Sequence, residues 1–235
     1  MKSDEVEVSF PYVGKRLHWK LHQITHLEVL ARFLSSPQDI PMLQGIAVRS
    51  RGGGNPVNYV MDVGANQGIM SVLFAATWTN AKVHAIEPSP MNFENLSHNV
   101  KDFPNIFTDM RGAFSTPGFM ELSLPTPRTW NVNTGQFSLY GEGKVSETVE
   151  VACLDDIATQ PVDVLKLDVE GAEMNALEGA SRIIAEDRPI LIVEFRQYNQ
   201  ERAGRTIEDL ATFVSGAGYR EIGNWRGDPV FTYAP

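Results

Sequence analysis

Tyr59-Val-Met-Asp-Val-Gly-Ala-Asn-Gln-Gly68 decides how this chain folds. An apolar run ends in an acid, Asp62, and a glycine turn follows it. A second apolar run ends in Ala85-Ile-Glu-Pro88 and places another acid, Glu87, after it. A parallel α/β sheet builds a nucleoside pocket in this way, at the carboxyl ends of its first two strands. Gly64 and Gly68 let the backbone approach a ligand where a Cβ would collide. Asp62 and Glu87 then put carboxylates where a cationic ligand and a ribose diol can sit.

Downstream, strand and helix signals alternate. The patterns predict a helix over 68–77, a strand over 82–87, a helix over 90–100 and a strand near 106–110. Residues 119–124 read as the hairpin partner of that last strand. Residues 125–147 are rich in Pro, Gly, Thr, Asn and Ser and read as a long loop, a candidate lid. Regular structure is expected to resume over 148–154, with a strand over 163–167, a helix over 172–184, a strand over 189–195 and a helix over 206–215. The end, 219–222 and 230–233 around a Gly-Asp-Pro turn, reads as an antiparallel hairpin. Together these imply a mixed α/β sheet with helices on both faces and right-handed crossovers.

Upstream, Val6, Val8 and Phe10 alternate as a short strand ending near Pro11. Leu17, Leu21, Ile24, Leu27, Leu30 and Leu34 recur at helical spacing, so a helix is predicted over 17–34, ended by Pro37 and Pro41. A flexible basic loop over 49–56 leads into a strand over 57–63. The expected organisation is an N-terminal extension over 1–56, a cap or an interface, ahead of one domain over 57–235.

Bulk properties narrow the partners. The chain has 235 residues, 43% of them hydrophobic and 21% charged, enough for one substantial folded domain. Its net charge of −9 argues against extended contact with nucleic acid, which needs clustered Lys and Arg. Cys153 is the sole cysteine, which leaves no intrachain disulfide and no cysteine-based zinc site. No signal-peptide core and no membrane-spanning run of ~18 apolar residues is present, so a cytoplasmic protein is expected.

A dinucleotide fold wants Gly-x-Gly-x-x-Gly at the start of its first helix. Here Asn66 stands where the second glycine should be and crowds a pyrophosphate. Asp62 would repel phosphate as well. A ligand with positive charge and no phosphate suits the turn better, which describes S-adenosylmethionine. Glu87 can accept from vicinal ribose hydroxyls. The phosphate-binding Gly-Lys-Ser/Thr pattern is absent.

Asp62-Val-Gly-Ala-Asn-Gln-Gly68, Glu87-Pro88, Leu154-Asp-Asp156, Leu165-Lys-Leu-Asp-Val-Glu-Gly-Ala-Glu173 and Ile192-Val-Glu-Phe195 together resemble the FkbM family of S-adenosylmethionine-dependent methyltransferases. The similarity spans about residues 57–196, and the block from Lys166 to Glu173 is its most specific part. The resemblance implies a Rossmann-like class I methyltransferase fold with a mixed, mostly parallel seven-stranded sheet. It implies methyl transfer to a hydroxyl oxygen, often on a sugar or a polyketide. Substrate choice then resides in the less similar parts, the two ends and residues 125–147.

Candidate cofactor-binding residues are Asp62, Gly64, Ala65, Asn66 and Gly68 in the turn, Glu87 and Pro88 after the second strand, and Gly112 and Ala113 where this fold meets adenine. Asp168 is added from the end of a later strand. Acids favour a helix start through the dipole, which accounts for Glu170 and Glu173. Asp168 fits that explanation less well, because it ends a strand and faces the crevice, with Glu194 at the matching place one strand over. Asp168 is the candidate base or orienter, with Glu194 and Glu170 as further catalytic candidates. A divalent cation held at this strand end is the alternative.

His18, His22 and His26 recur every four residues and suit a polar or partner-facing helix better than a metal site. Trp130, Phe137 and Tyr140, interleaved with Asn131, Asn133 and Ser138, suit sugar recognition or simple loop anchoring alike. Cys153 follows Ala152 rather than proline, and the Asn/Asp-Pro-Pro-aromatic motif is missing, which points away from nucleobase methylation. The expected activity is O-methylation of a sugar, glycan or small metabolite. A nicotinamide oxidoreductase and a non-catalytic nucleoside-binding relative are the alternatives. The 17–34 helix could cap the sheet, cover the acceptor pocket or form a homodimer face.

Overall fold

A computed structural model describes residues 6–12, 14–21, 30–31, 33, 35–36, 38–50, 56–123, 137–141 and 145–234. The first elements correct the start of the helix read over 17–34, whereas Leu30, Ala31 and Phe33 at its end are helical and 22–29 lie outside the described residues. β1 (Val6–Tyr12) and β2 (Lys15–Leu21) form an antiparallel hairpin with Phe10 opposite Leu17 and Val8 opposite Trp19. Leu17, Trp19 and Leu21 alternate along β2 and are buried to within 1% exposure. That is the period of a half-buried strand, and it outweighs the coincident four-residue spacing of the leucines. His18 therefore sits on a strand, while His22 and His26 lie outside the described residues, as do Trp130, Asn131 and Asn133.

α1 (Asp39–Ser50) follows, with Pro41 inside its first turn, where a missing N–H costs no intrahelical bond. Pro41 thus lies in a helix instead of ending one, and the helix runs through the start of the predicted basic loop. Asp39 at its head accepts from the indole of Trp225 and from Arg226.

The central elements arrive in the expected alternation: β3 (Tyr59–Val63), α2 (Ile69–Thr77), β4 (Lys82–Ile86), α3 (Pro90–Val100) and β5 (Ile106–Asp109). Pro90 opens α3, and Ser89 caps it by accepting from the Asn92 N–H. β6 (Gly112–Ala113), β7 (Gly118–Ser123) and β8 (Val145–Ala152) form a separate three-stranded sheet in the order β6-β8-β7. The predicted hairpin between 106–110 and 119–124 is therefore wrong, since β7 pairs with β8 and not with β5. The strand also takes in Val145–Glu147, residues that composition assigns to the loop.

After α4 (Leu154–Ile157) come β9 (Val164–Leu167) and α5 (Glu173–Glu178). The helix predicted over 172–184 is interrupted after α5. A Cβ at Gly179 would fall 2.2 Å from the Phe114 carbonyl oxygen, so the backbone there runs against the β6 segment. The Asp155 carboxylate then accepts from the Arg182 and Ile183 N–H groups, ahead of a π-helical turn over Ile183–Asp187. β10 (Ile190–Val193), α6 (Gln197–Arg202), α7 (Ile207–Gly216), β11 (Tyr219–Trp225) and β12 (Asp228–Tyr233) complete the chain.

The main sheet has seven strands in the order β11-β12-β10-β9-β3-β4-β5. β10, β9, β3, β4 and β5 are parallel, and β12 enters antiparallel between β10 and β11. β3, β9 and β10 are buried at every position, as strands covered on both faces must be. One apolar cluster unites the hairpin with α2 and α3, and a second packs α5 and α7 on the opposite face. A small third cluster lies under the three-stranded sheet. Among the described residues no helix is long and apolar enough to cross a membrane.

Candidate active site

The strands β3, β4, β9 and β10 end around one cavity of about 380 Å³. The turn after β3 forms one wall, with Gly64, Ala65 and Asn66 lining it, and Glu87 and Pro88 continue it. Gly112 and Ala113 stand beside them, Asp168, Glu170 and Glu194 opposite, and Leu122, Phe137 and Leu139 complete the enclosure. The structure thus brings together most of the residues that the sequence singles out. Asp62 and Gly68 lie behind the wall instead.

Gly64 has φ +78, and a Cβ there would fall 1.8 Å from the Asp168 carbonyl oxygen. Only glycine lets β3 and β9 approach this closely at their ends. Gly68 has φ +90 and meets the other side: its Cβ would press on Leu96 and Val100 of α3 at 2.9 Å. It serves helix packing. Between them Asn66 is left-handed too, at φ +50. Its backbone N–H donates to Glu87 Oε2 at 2.8 Å, and its side-chain Oδ1 is buried with no hydrogen-bond partner among the described residues.

Glu87 also accepts from the Ser89 N–H and from Asn92 Nδ2 through Oε1. Burial pushes its carboxyl up to about 7, against the pull of those donors. Asp62 is completely enclosed: Oδ2 accepts from Ser71 Oγ at 2.6 Å, and Oδ1 lies 3.7 Å from Lys166 Nζ. Lys166 Nζ also donates to Asp168 Oδ2 at 3.2 Å. Burial opposes the charge on Lys166, but the carboxylates of Asp168 and Asp62 outweigh it and hold the ammonium protonated.

On the far wall, oxygens of Asp168, Glu170 and Glu194 come within 4.8 Å of one another. Asn199 Nδ2 lies 2.9 Å from Glu170 Oε2 and from Glu194 Oε2 and ties the two together. Arg196 Nε stands 3.2 Å from Glu194 Oε1 and is shared with Asp228. Burial raises Glu170 to about 7, with the Asp168 charge adding to it. Burial likewise raises Glu194 to about 8, followed by repulsion from Asp168 and Glu170.

Glu170 and Glu173 do different work, although both stand near a helix start. Glu170 is left-handed at φ +53 and stays in the cluster. Glu173 is fully buried and accepts from the Val169 and Gly171 N–H groups and from Gln200 Nε2, so it shapes the loop that carries Asp168 and Glu170. From the segment over 137–141, Ser138 Oγ donates to the Glu170 carbonyl at 2.7 Å, and Tyr140 donates to Asn175.

Lys166, Asn199, Arg196 and Gln200 are site residues that sequence reasoning missed. Lys166 carried a signal, a charge inside the apolar strand Val164–Leu167. Asn199 carried none, because only the packing of α6 brings it across to the acids.

These raised acids fix a sign for pH dependence. The folded form keeps protons that an unfolded glutamate, ordinarily near 4.5, has already released, up to about 8 for Glu194. That stability is fully present below the unfolded value and is lost as pH rises through the folded one. The melting temperature should therefore fall as pH rises from about 4.5 to about 8 and level off above that. Glu194→Gln should flatten the fall; a melting temperature that rises across this window would contradict the assignment.

The strand order, the antiparallel β12 and a cavity at the carboxyl ends of the parallel strands define the class I methyltransferase fold. Residues 62–221 match the methyltransferase FkbM domain, and the chain belongs to that family. It is 28% identical to methyltransferase sdnD of Sordaria araneosa over 155 residues, which cover 52% of this chain and 60% of that protein. It is 29% identical to the hexuronic acid methyltransferase AglP of Haloferax volcanii over 161 residues, 66% of this chain and 61% of that one. The chain thus spans about three fifths of the length of these curated relatives. Among solved structures, methyltransferase FkbM from Methylobacillus flagellatus superposes with a TM-score of 0.51 at 22% identity, covering 76% of this chain and 44% of that one. The bifunctional kinase-methyltransferase WbdD gives 0.50 at 14%, covering 85% and 40%. At these identities the likeness concerns the fold.

Proposed function

We propose that the chain is an S-adenosylmethionine-dependent O-methyltransferase acting on a hydroxyl of a sugar, glycan or small metabolite. The observation that carries this reading is a single cavity with the Asn66–Glu87 wall on one side and three clustered carboxylates on the other. The residues present fit the cofactor. Asn66 Oδ1 is a buried acceptor without a partner among the described residues, suited to an ammonium or amide donor. Glu87 faces the same space with lone pairs for a ribose diol. A pyrophosphate fits worse, because the Asn66 N–H that would approach it is already bonded to a carboxylate. This weighs against the nicotinamide alternative.

When bound, S-adenosylmethionine supplies a methyl group on a positively charged sulfur, open to in-line displacement. Gly64, Ala65, Asn66, Glu87, Pro88, Gly112 and Ala113 would hold it. Asp62 acts from behind, fixing Ser71 and Lys166. Asp168 has Oδ2 engaged by Lys166, which leaves Oδ1 to accept the proton of an acceptor hydroxyl. Glu170 and Glu194, joined by Asn199, orient that acceptor. Holding the hydroxyl oxygen in line supplies a large share of the acceleration. A divalent cation held by Asp168, Glu170 and Glu194 is the second reading, favoured by the spacing of their oxygens. Loss of turnover with a chelator, restored by metal, would select it.

Calorimetry with S-adenosylmethionine, S-adenosylhomocysteine and NAD tests the cofactor, and the mass gain of one methylene on a panel of hydroxylated acceptors tests the reaction. Binding of NAD alone would overturn the reading. Affinity for S-adenosylhomocysteine should also weaken below about pH 7, where Glu87 takes up a proton, by at most tenfold for each pH unit. Glu87→Gln should lower the affinity and remove the slope.

A further inference from the structure

One side-chain amide joins three parts of the molecule. Asn99 Oδ1, on α3, accepts from the Lys20 backbone N–H at 2.7 Å, and Nδ2 donates to the Lys20 carbonyl at 3.1 Å. Nδ2 also donates to the Gln67 carbonyl at 3.0 Å. The two-point pairing with Lys20 is what a neighbouring strand would offer the outer edge of β2. Both amide hydrogens and the oxygen are used, which fixes the orientation of the group.

The third bond reaches the cavity wall. Gln67 is buried between Asn66 and Gly68, both left-handed, at φ 50 and 90. A non-glycine residue in that region is strained and persists only where its surroundings hold it. Glu87 holds this turn from one side through the Asn66 N–H, and Asn99 holds it from the other through the Gln67 carbonyl. The same helix carries Asn92, whose Nδ2 reaches Glu87 Oε1 at 3.4 Å. Two turns of α3 therefore grip both the turn and the acid that face the ligand. The helix spends buried positions on this: Asn92 and Asn99 are each no more than 3% exposed. Aliphatic side chains would fill those positions at lower cost if packing were their purpose.

The hairpin end is equally well fixed. Leu17, Trp19 and Leu21 share one apolar cluster with Val72, Leu96 and Val100. A shift of β2 along α3 is opposed by that packing, and the Asn99 amide links Lys20 directly to the Gln67 carbonyl.

We propose that Asn99 is a positioning residue through which the β1–β2 hairpin sets the shape of the cofactor turn, so that the N-terminal hairpin is a working part of the cofactor site. The inference rests on the reading of the cavity as an S-adenosylmethionine site. Two measurements on the full chain test it: calorimetry with S-adenosylhomocysteine, and hydrogen exchange of the 65–68 amides without ligand. Asn99→Ala is expected to weaken binding about tenfold and to speed exchange in the turn. Asn99→Asp should do at least as much, since it loses both donors and sets a carboxylate against two carbonyls. Lys20→Pro removes the N–H on the far side of Asn99 and keeps the carbonyl that Asn99 Nδ2 also meets. It should weaken binding severalfold in the wild-type background and have no further effect in Asn99→Ala, the mark of coupling in a double-mutant cycle.

Binding within about twofold of wild type in a folded Asn99→Ala, with unchanged exchange at 65–68, would overturn the proposal. Additive effects of Lys20→Pro would do the same. If Asn99→Ala fails to fold, Lys20→Pro alone decides by the same two readouts. If wild type gives no heat with S-adenosylhomocysteine, the methyltransferase reading falls, and turn exchange still decides the role of Asn99.

Discussion

Asp168→Asn is expected to cut turnover by about 10²–10⁴-fold while leaving affinity for S-adenosylhomocysteine within a few-fold of wild type. The amide keeps the size of the carboxylate and can still meet Lys166 Nζ through its oxygen. It cannot take the proton of an attacking hydroxyl. An alcohol is a weak nucleophile until that proton has somewhere to go, so the loss should fall on kcat and leave KM for the cofactor nearly unchanged. The acids beside it are poor substitutes. Burial and mutual repulsion hold Glu194 near 8 and Glu170 near 7, so both retain much of their protonation at neutral pH. The residual activity of Asp168→Asn should accordingly rise with pH, over a range below the wild-type one because the repulsion from the Asp168 charge is gone. Unchanged kcat in the variant would end the assignment of Asp168 as base, and a matching loss of cofactor affinity would make it a binding residue instead.

Lys166→Met should cost about 3–5 kcal/mol of folding stability, the usual consequence of removing one partner of a buried charge set. Methionine matches the length of the lysine stem, so packing in β9 is little disturbed. What changes is charge. Asp62 has no exposure and would keep only Ser71 as partner, with Oδ1 bare. Its carboxyl, already pushed up by burial, would have to take up a proton on folding, and the deficit should therefore widen as pH rises. Adding Asp62→Asn should recover most of the loss, because the double variant buries no net charge. Urea denaturation of wild type, the two single variants and the double variant measures this directly. A single variant within about 1 kcal/mol of wild type would show that Lys166 does not balance Asp62.

The parallel half of the sheet was legible because its strands are buried on both faces. Tyr59–Val63, Val164–Leu167 and Ile190–Val193 are short apolar runs bounded by turn residues, and each was expected within a few residues of where it lies. α3 was found to the residue because Ser89 and Pro90 mark its start. The hairpin was missed for a specific reason. Leu17 and Leu21 fit helical spacing and strand alternation equally, and Trp19 between them decided for the strand. The break after α5 depends on a backbone contact between Gly179 and Phe114, 65 residues apart, which no local pattern records. The same division holds in the cavity. Residues at strand ends, such as Glu87, Asp168 and Glu194, announce themselves by position. Asn199 and Asn99 act by reaching across from helices, and only the packing of those helices shows where their amides arrive.

The cavity draws its walls from separate apolar cores. The cofactor turn packs against the large cluster that includes Leu96 and Ala65, whereas Leu122 and Phe137 belong to the small cluster beneath the three-stranded sheet. A change near Leu96 disturbs the turn, the hairpin and α3 together, whereas one near Phe137 reshapes the acceptor side and little else. On the proposed function, acceptor preference can therefore be changed near Phe137 without disturbing the wall assigned to the methyl donor.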